Sequence, residues 1–284
     1  MIGVTGAAGK LGRLVIDELL HTVPASEIIA IARDTAKASD LAAKGIIVRQ
    51  GDYDAPDTFL SALAGIDKLL LISSNATGKR EAQHRAVIEV AEQAGVGFIA
   101  YTSMLHASTS PLSLREEHVR TEELLADSSL SHALLRNGWY TENYTWNLAD
   151  AIKSGEIVGG SADGRISAAA RADYAAAAAV VLVAKDDQGG RIYELAGDDA
   201  FTMEEFAAEV ARQSGKAVVY RNLSGADYKA HLVAKGLPEP VAASFAVTIT
   251  QGGQFDDSHQ LRRLIGRPTT PWTETIAAAL RALG

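Results

Sequence analysis

Met1-Ile-Gly-Val-Thr-Gly-Ala-Ala-Gly-Lys-Leu-Gly12 places three glycines at a spacing of three between an apolar run and an amphipathic stretch. The apolar run at 2–4 predicts a buried strand, and the stretch at 11–20 predicts a helix. Strand, glycine turn and helix in this order are typical of a site for dinucleotide phosphates. The backbone of such a turn can approach a pyrophosphate, and the free N–H groups of the helix N-terminus favour an anion.

Each glycine of this stretch has its own expected role. Gly6 would allow a tight turn, Gly9 would let the backbone approach a pyrophosphate, and Gly12 would let the helix pack close to the strand. Glycines also occur in turns that bind nothing, so a plain structural turn is the alternative.

Composition limits the class of protein. The chain has 284 residues, of which 47% are hydrophobic, enough for one large domain or a large domain with a smaller partner. The net charge of −8 and the lack of a basic block argue against a nucleic-acid surface. The absence of cysteine excludes disulfides and thiolate chemistry. We recognise neither a signal peptide nor the roughly 20 apolar residues of a membrane helix, and therefore expect a cytoplasmic, globular protein.

Apolar runs alternate with helical segments through the first half of the chain. The runs that predict strands are 2–4, 28–32, 46–49, 68–72, 97–101 and 133–136. Such alternation predicts an α/β fold, a Rossmann-like doubly wound parallel sheet with a smaller C-terminal α/β lobe. We expect an NADP-binding domain at 1–150, joined by part of 167–200, and a substrate-capping lobe at 151–284. Ligands of such sheets bind beyond the carboxyl ends of the strands.

Four further predictions concern local structure. Residues 155–166 read as a loop or a short hairpin, and 239–250 as a helix. A capping box at Thr202 to Glu205 opens another helix. His84 and His118 lie on predicted helices, where we expect them to be exposed to solvent.

Arg33 follows the second predicted strand directly. In dinucleotide folds the residue at this place meets the adenosine ribose, where an acid suits the 2′-hydroxyl of NAD and an arginine suits the 2′-phosphate of NADP. Arg33 therefore favours NADP, and Lys10 in the glycine turn would add a second positive charge. The alternative is an exposed arginine paired with Asp34 or Asp54.

The sequence lacks the tyrosine–lysine pair that many short-chain dehydrogenases use in catalysis. Many short-chain dehydrogenases use a tyrosine and a lysine four residues later as a proton donor and its tuner, and none of the eight tyrosines here has a lysine at that distance. A quinone needs no strong acid, because water can protonate its stabilised oxyanion after hydride transfer. We therefore assign no catalytic side chain and no metal ligand, and we expect the protein to hold a nicotinamide against a flat acceptor.

An aromatic cluster follows the sixth predicted strand, in Asn137-Gly-Trp-Tyr-Thr-Glu-Asn-Tyr144 and Trp146. Its place beside the expected nicotinamide suits a flat wall for a ring-shaped acceptor. Ordinary packing of a helix at 139–150 against the smaller lobe explains the same residues equally well.

The chain resembles the bacterial type 2 NADPH:quinone oxidoreductases, which belong to the NmrA-like atypical short-chain dehydrogenases; triphenylmethane reductase is a more distant relative. The stretches that carry the resemblance span the whole chain and are 6–12, 24–26, Arg33, 71–74, 100–103, 135–140, 171–174, 193–197 and 264–269. The resemblance implies reduction of quinones by NADPH through direct hydride transfer, without flavin or metal. Gene-regulatory NmrA relatives bind dinucleotides without turning them over, so a non-enzymatic redox sensor is the alternative.

The resemblance also implies which residues bind NADPH. They are Gly6, Ala7, Ala8, Gly9, Lys10, Leu11, Arg33, Ser73, Ser74, Asn75, Asn137, Gly138, Trp139, Tyr140, Thr141, Glu142 and Arg171.

Overall fold

The computed structural model describes residues 1–239, 242–243 and 253–283. The chain folds as two compact units and passes between them more than once. The first unit contains Met1–Ala107, Glu116–Asn137 and Arg171–Tyr193, and the second contains Ser108–Arg115, Gly138–Ala170 and Glu194–Gly284. Separate domains at 1–150 and 151–284 stay a prediction.

A parallel sheet organises the first unit. Its strands are β1 (Ile2–Val4), β2 (Ile28–Ala32), β3 (Ile47–Gln50), β4 (Lys68–Leu71), β5 (Phe98–Met104), β6 (Ser131–Asn137) and β8 (Ile192–Leu195), in the order β3-β2-β1-β4-β5-β6-β8. The six strands predicted from apolar runs are therefore confirmed, and the Rossmann-like α/β class with them. The strand order reverses between β1 and β4, which is where doubly wound sheets bind their ligands.

Helices of the first unit follow its strands. They are α1 (Lys10–Leu19), α2 (Ser39–Ala43), α3 (Thr58–Ala62), α4 (Arg80–Gln93), α5 (Arg115–Asp127) and α8 (Arg171–Val183). Apolar side chains of β2, β4 and β5 form a core with those of α3 and α4 on one face of the sheet. Burial of these side chains is the main force that holds the unit together.

Helix α8 returns to the first unit from late in the chain. It packs against α1 and the strands β4 and β5, and its alanine side chains are almost all buried. Lys68, at the start of β4, donates to the backbone oxygens of Leu182 (2.9 Å) and Ala184 (3.0 Å) at the end of α8. This cation suits the negative end of the helix dipole and fixes α8 to the sheet.

The second unit is built on a smaller sheet. Its elements are α6 (Glu142–Thr145), α7 (Leu148–Ser154), β7 (Glu156–Gly159), α9 (Met203–Ser214), β9 (Val219–Asn222), α10 (Gly225–Ala234), α11 (Gln260–Ile265) and α12 (Trp272–Arg281). Its core contains Phe201 and Phe206, with Trp272 packed against them. The predicted capping box is confirmed, because Thr202 and Glu205 each accept the other's backbone N–H.

Two predictions for this half of the chain have different outcomes. The hairpin considered for 155–166 is wrong, because β7 pairs in parallel with β9, from Glu156 with Val219 to Gly159 with Asn222. A parallel partner some sixty residues away leaves no local signal in the sequence. The helix predicted at 239–250 lies mostly outside the described residues. No helix in the described ranges is both long and apolar enough to span a membrane.

Candidate functional site

The glycine turn connects β1 to α1. Gly6 has a φ of +59°, a conformation that other residues rarely adopt, so its predicted role in the turn is confirmed. A Cβ on Gly12 would lie 2.6 Å from the backbone oxygen of Gly6 and 2.7 Å from the Cα of Ala7, so the close packing predicted for Gly12 is confirmed as well. Gly9 has ordinary extended angles, and the approach of a pyrophosphate to it stays a prediction.

The N-terminus of α1 suits an anion. Its N-cap, Gly9, offers no side-chain hydrogen bond, and its first turn contains no acidic residue. The first N–H groups of a helix have no acceptor within the helix. Lys10, the first helical residue, is exposed. Phosphate oxygens would satisfy these donors at the positive end of the helix dipole.

Arg33 lies at the end of β2, on the strand next to β1. Its side chain is exposed and forms no hydrogen bond or ion pair within the described part of the chain. The paired alternative would need Asp34 or Asp54, but these acids are used elsewhere. Asp34 accepts from the N–H of Ala36 at 3.1 Å, and Asp54 accepts from Gln83 at 2.9 Å. The donors of the Arg33 guanidinium are therefore unpaired among the described residues.

Arg13 is a residue of this site that we did not predict. Its guanidinium donates to the backbone oxygen of Ala8 in the glycine turn (3.2 Å), to the backbone oxygen of Lys37, and to Asp40. The charge-assisted hydrogen bond from Arg13 to Asp40 lowers the pKa of the Asp40 carboxyl. Arg13 thus connects the glycine turn to the segment after Arg33, although an arginine in an exposed helical position gives no such signal in the sequence.

The segment Ser73–Asn75 follows β4, beside the glycine turn. Strands β1 and β4 pair in parallel with Val4 opposite Leu70, and the β-carbon of Ile72 lies 3.8 Å from where a Cβ on Gly6 would be. The Ser73 N–H donates to the Thr102 hydroxyl at 2.8 Å. The predicted loop therefore flanks the point where the strand order reverses.

Asn137 ends β6. Its side chain is buried, and its Oδ1 atom has no hydrogen-bond partner among the described residues. Burying a carboxamide oxygen without a partner costs free energy, so a donor from a ligand or from water would stabilise this site. The preceding Arg136 forms a buried bidentate ion pair with Glu122, at 2.9 and 2.6 Å, which holds the strand end in place. A carboxamide group of a ligand would satisfy Asn137.

Residues 138–142 belong to the second unit. The Gly138 N–H donates to the Leu195 oxygen at 2.7 Å, and the Thr141 N–H donates to the Ala169 oxygen at 2.9 Å. The Thr141 hydroxyl is fully buried and lacks a partner within the described ranges. Trp139, Tyr140 and Glu142 are half-buried.

The aromatic cluster separates into two kinds of residue. Tyr144 packs against Phe201 and Phe206, with ring centroids 5.6 and 6.0 Å away, and its burial raises the pKa of its hydroxyl. Packing therefore explains Tyr144. Trp146 is 79% exposed, and Tyr140 is half-buried. The helix predicted at 139–150 is divided into α6 and α7.

The remaining predicted residue, Arg171, begins α8 in the first unit and is half-buried. No group of three or more histidine, aspartate or glutamate side chains within the described ranges is arranged to hold a metal ion. The prediction that His84 and His118 are exposed is wrong, because both are buried between helices and the sheet.

The parallel sheet and its glycine turn, with Arg33 unpaired among the described residues at the end of β2, are typical of nucleotide-binding proteins of the Rossmann-like class. A family model described as NAD(P)H-binding matches residues 6–183. The chain belongs to this NAD(P)H-binding family.

Similar proteins give more detail. Quinone oxidoreductase 2 of Escherichia coli is 53% identical over 280 residues, which cover 98% of each chain. The crystal structure of that NADPH-dependent enzyme with NADPH has a TM-score of 0.95 and covers 99% of this chain and 100% of that chain. Triphenylmethane reductase of Citrobacter sp., complexed with NADP(H), is 38% identical with a TM-score of 0.93, covering 98% of this chain and 100% of that chain. The predicted resemblance is thereby confirmed, with triphenylmethane reductase the more distant relative.

Proposed function

We propose that this protein is an NADPH-dependent oxidoreductase that reduces quinones by direct hydride transfer, without flavin or metal. The observation that carries the cofactor is the glycine turn beside an exposed, unpaired Arg33. The observation that carries the acceptor is the similarity over the full chain to Escherichia coli quinone oxidoreductase 2.

The residues of the first unit fit NADPH. The turn from Gly6 to Leu11 and the N-terminus of α1 would hold the pyrophosphate, and Arg33 would bind the 2′-phosphate. Ser73–Asn75 and Asn137 would bind the rest of the cofactor, since the unpartnered Oδ1 of Asn137 can accept from a carboxamide. We include the remaining predicted residues, 138–142 and Arg171, in the proposed site.

The chemistry requires little of the protein beyond orientation. When bound, NADPH supplies a hydride from C4 of its nicotinamide. The side chains would hold the two reacting rings together and exclude water. Good orientation of the reactants can lower the reaction barrier by about 7–11 kcal/mol. Burial raises the pKa of the Tyr53 and Tyr101 hydroxyls, so neither is a ready proton donor. The quinone would receive two electrons and one hydrogen as the hydride, and the resulting oxyanion would take one proton from water.

The proposed partner is a quinone or another planar acceptor. We place the protein in the cytoplasm, where NADPH is the common reductant, and propose no nucleic-acid or membrane partner. A net charge of −8 disfavours a polyanion such as nucleic acid.

The test is oxidation of NADPH by the purified protein, with flavin content measured in the same sample. Quinones, aldehydes and triphenylmethane dyes should be offered as acceptors, with NADH as the comparison donor. Two samples of NADPH should be prepared, each with deuterium in place of one of the two hydrogens on C4 of the nicotinamide. Only one of the two samples should lose its label to the acceptor during turnover. The proposal predicts quinone reduction in flavin-free protein. Tight NADPH binding with no acceptor reduced would instead support the redox-sensor alternative.

A further inference from the structure

Ser74 is held by three residues of one helix. Its N–H donates to Nε2 of His84 (3.0 Å), its backbone oxygen accepts from Nε of Arg80 (2.7 Å), and its hydroxyl donates to Oε1 of Gln83. These residues lie at helical positions i, i+3 and i+4, on one face of α4. All three side chains are buried.

These three side chains are themselves fixed by other elements. Arg80 pairs with Glu117 of α5 at 3.0 Å, and His84 Nδ1 lies 2.9 Å from the Thr121 hydroxyl of α5. Gln83 donates to Asp54 at 2.9 Å. The three bonds to Ser74 are therefore braced, because each partner also bonds to a second residue.

The protonation state of His84 follows from its partners. A backbone N–H can only donate, so Nε2 accepts from Ser74 and carries no proton. Nδ1 then carries the proton and donates to Thr121, whose hydroxyl donates onward to the Glu117 backbone oxygen at 3.0 Å. His84 is neutral, with its tautomer set by the bond to Ser74.

Holding Ser74 inward determines where its neighbours point. Ser74 is buried, whereas Ser73 is half-buried and Asn75 is exposed. The segment lies beside the glycine turn, because the Thr5 hydroxyl accepts from the Ile72 N–H at 2.9 Å.

We propose that Arg80, Gln83 and His84 are positioning residues that set NADPH affinity by holding Ser74 inward and thereby presenting Ser73 and Asn75 to the cofactor. They contact neither the cofactor nor the acceptor. The proposal rests on the proposed function, since it assumes that the segment after β4 binds NADPH. A loop with no binding role would not need three buried polar side chains to fix one serine. Burying a charged side chain such as Arg80 costs free energy unless the charge is paired and hydrogen-bonded.

The test compares His84→Asn with His84→Gln. The amide of asparagine reaches about as far as Nδ1, so it can serve Thr121 but not Ser74. The amide of glutamine reaches about as far as Nε2 and can accept from Ser74. His118 provides the matched control, because it is a buried histidine on α5 that bonds to the Tyr101 hydroxyl at 2.8 Å rather than to Ser74.

We expect His84→Asn to raise the NADPH dissociation constant about tenfold, the usual effect of one lost hydrogen bond. His84→Gln should restore most of that affinity, and His118→Asn should change it less than about twofold. At saturating NADPH, kcat should stay within about twofold in every variant. Hydrogen exchange of the 73–75 amides should rise in His84→Asn and return to the native rate in His84→Gln.

Each result decides a separate question. Failure of the native protein to bind NADPH would overturn the proposed function before any variant is made. Native binding with an unchanged dissociation constant in His84→Asn, or an equal loss in His118→Asn, would overturn the positioning role. If His84→Asn does not fold, Arg80→Lys replaces it, because lysine has a methylene group where Arg80 has the Nε that donates to Ser74. An unchanged NADPH affinity in that variant would equally contradict the proposal.

Discussion

Asp34 follows Arg33 in the chain, yet its carboxylate accepts from the N–H of Ala36 at 3.1 Å and does not pair with the Arg33 guanidinium. The acid that would neutralise Arg33 thus serves as the cap of a short helical turn. The charge of Arg33 remains available to a ligand beside the glycine turn.

Cofactor selectivity should depend on this free guanidinium. Arg33→Ala should weaken NADPH binding by ~10- to 150-fold, the effect of a lost charge-assisted phosphate contact of about 1.5–3 kcal/mol, and change NADH binding much less. Calorimetry with both cofactors measures the difference. Arg85→Ala, at an exposed ion pair with Glu81 on α4, serves as the control for lost surface charge. Equal losses for NADPH and NADH would show that Arg33 does not bind the 2′-phosphate.

The second and third glycines of the turn should differ in what they affect. Gly12→Ala places a Cβ 2.6 Å from a backbone oxygen, so it should lower the free energy of unfolding by about 1–3 kcal/mol. Gly9 has φ −79° and ψ 169°, which any residue adopts. A Cβ at this position would lie 3.1 Å from the Gly6 backbone oxygen, so Gly9→Val should fold with a modest loss of stability. It should lose NADPH binding, because its side chain would occupy the space of the pyrophosphate. Urea unfolding and calorimetry separate the two effects, and full NADPH affinity in folded Gly9→Val would refute the phosphate role.

Tyr140 tests whether a protein acid takes part in the reaction. Tyr140→Phe should leave the rate of quinone reduction nearly unchanged, because the proposed mechanism takes protons from water. Tyr140→Ala should reduce activity more, mainly through weaker quinone binding, since the ring would be a wall of the acceptor site. Steady-state kinetics with varied quinone distinguishes KM from kcat. A loss of ~10²–10⁴ in rate for Tyr140→Phe would identify the hydroxyl as a general acid instead.

Stability should fall at acid pH through the two buried histidines. Burial, aided by the charge of Arg80, lowers the pKa of His84 and of His118 to about 3 from 6.5. Between these values the unfolded chain takes up protons that the folded chain refuses. Above about pH 6.5 the two histidines therefore do not reduce the free energy of unfolding. As the pH falls from 6.5 toward 3, that free energy decreases by at most about 1.4 kcal/mol per pH unit for each histidine.

Urea unfolding between pH 7 and 4 measures this slope. The variant with both His84→Gln and His118→Gln should show a flatter dependence on pH, because glutamine does not titrate. An identical slope in the native protein and in this variant would assign the acid sensitivity to other groups.

The same histidines show what the sequence could not predict. The strands of the main sheet could be found because each contains a mostly apolar run, and the glycine turn could be found because its spacing is regular. On α4, however, part of the buried face consists of Arg80, Gln83 and His84. Because buried helix faces are recognised in a sequence by their apolar residues, the polar residues of this face predict exposure to solvent. The partners that bury it, Glu117 and Thr121, lie more than thirty residues away.

The site was partly predictable for the same reason. The positions of Gly6, Arg33 and Ser73 follow from the rule that ligands bind at the carboxyl ends of strands. The contacts of Arg13 with Ala8 and Asp40, and the unpartnered oxygen of Asn137, depend on side-chain geometry in three dimensions. No local pattern encodes them.

The return of α8 to the first unit has a consequence for synthesis on the ribosome. The glycine turn is made first, but the helix that covers α1 is made only after the chain has passed residue 170. The backbone oxygens to which Lys68 donates are likewise synthesised more than a hundred residues after Lys68 itself. A nascent chain that ends before α8 lacks the helix that packs against α1, so the first unit is completed only late in translation.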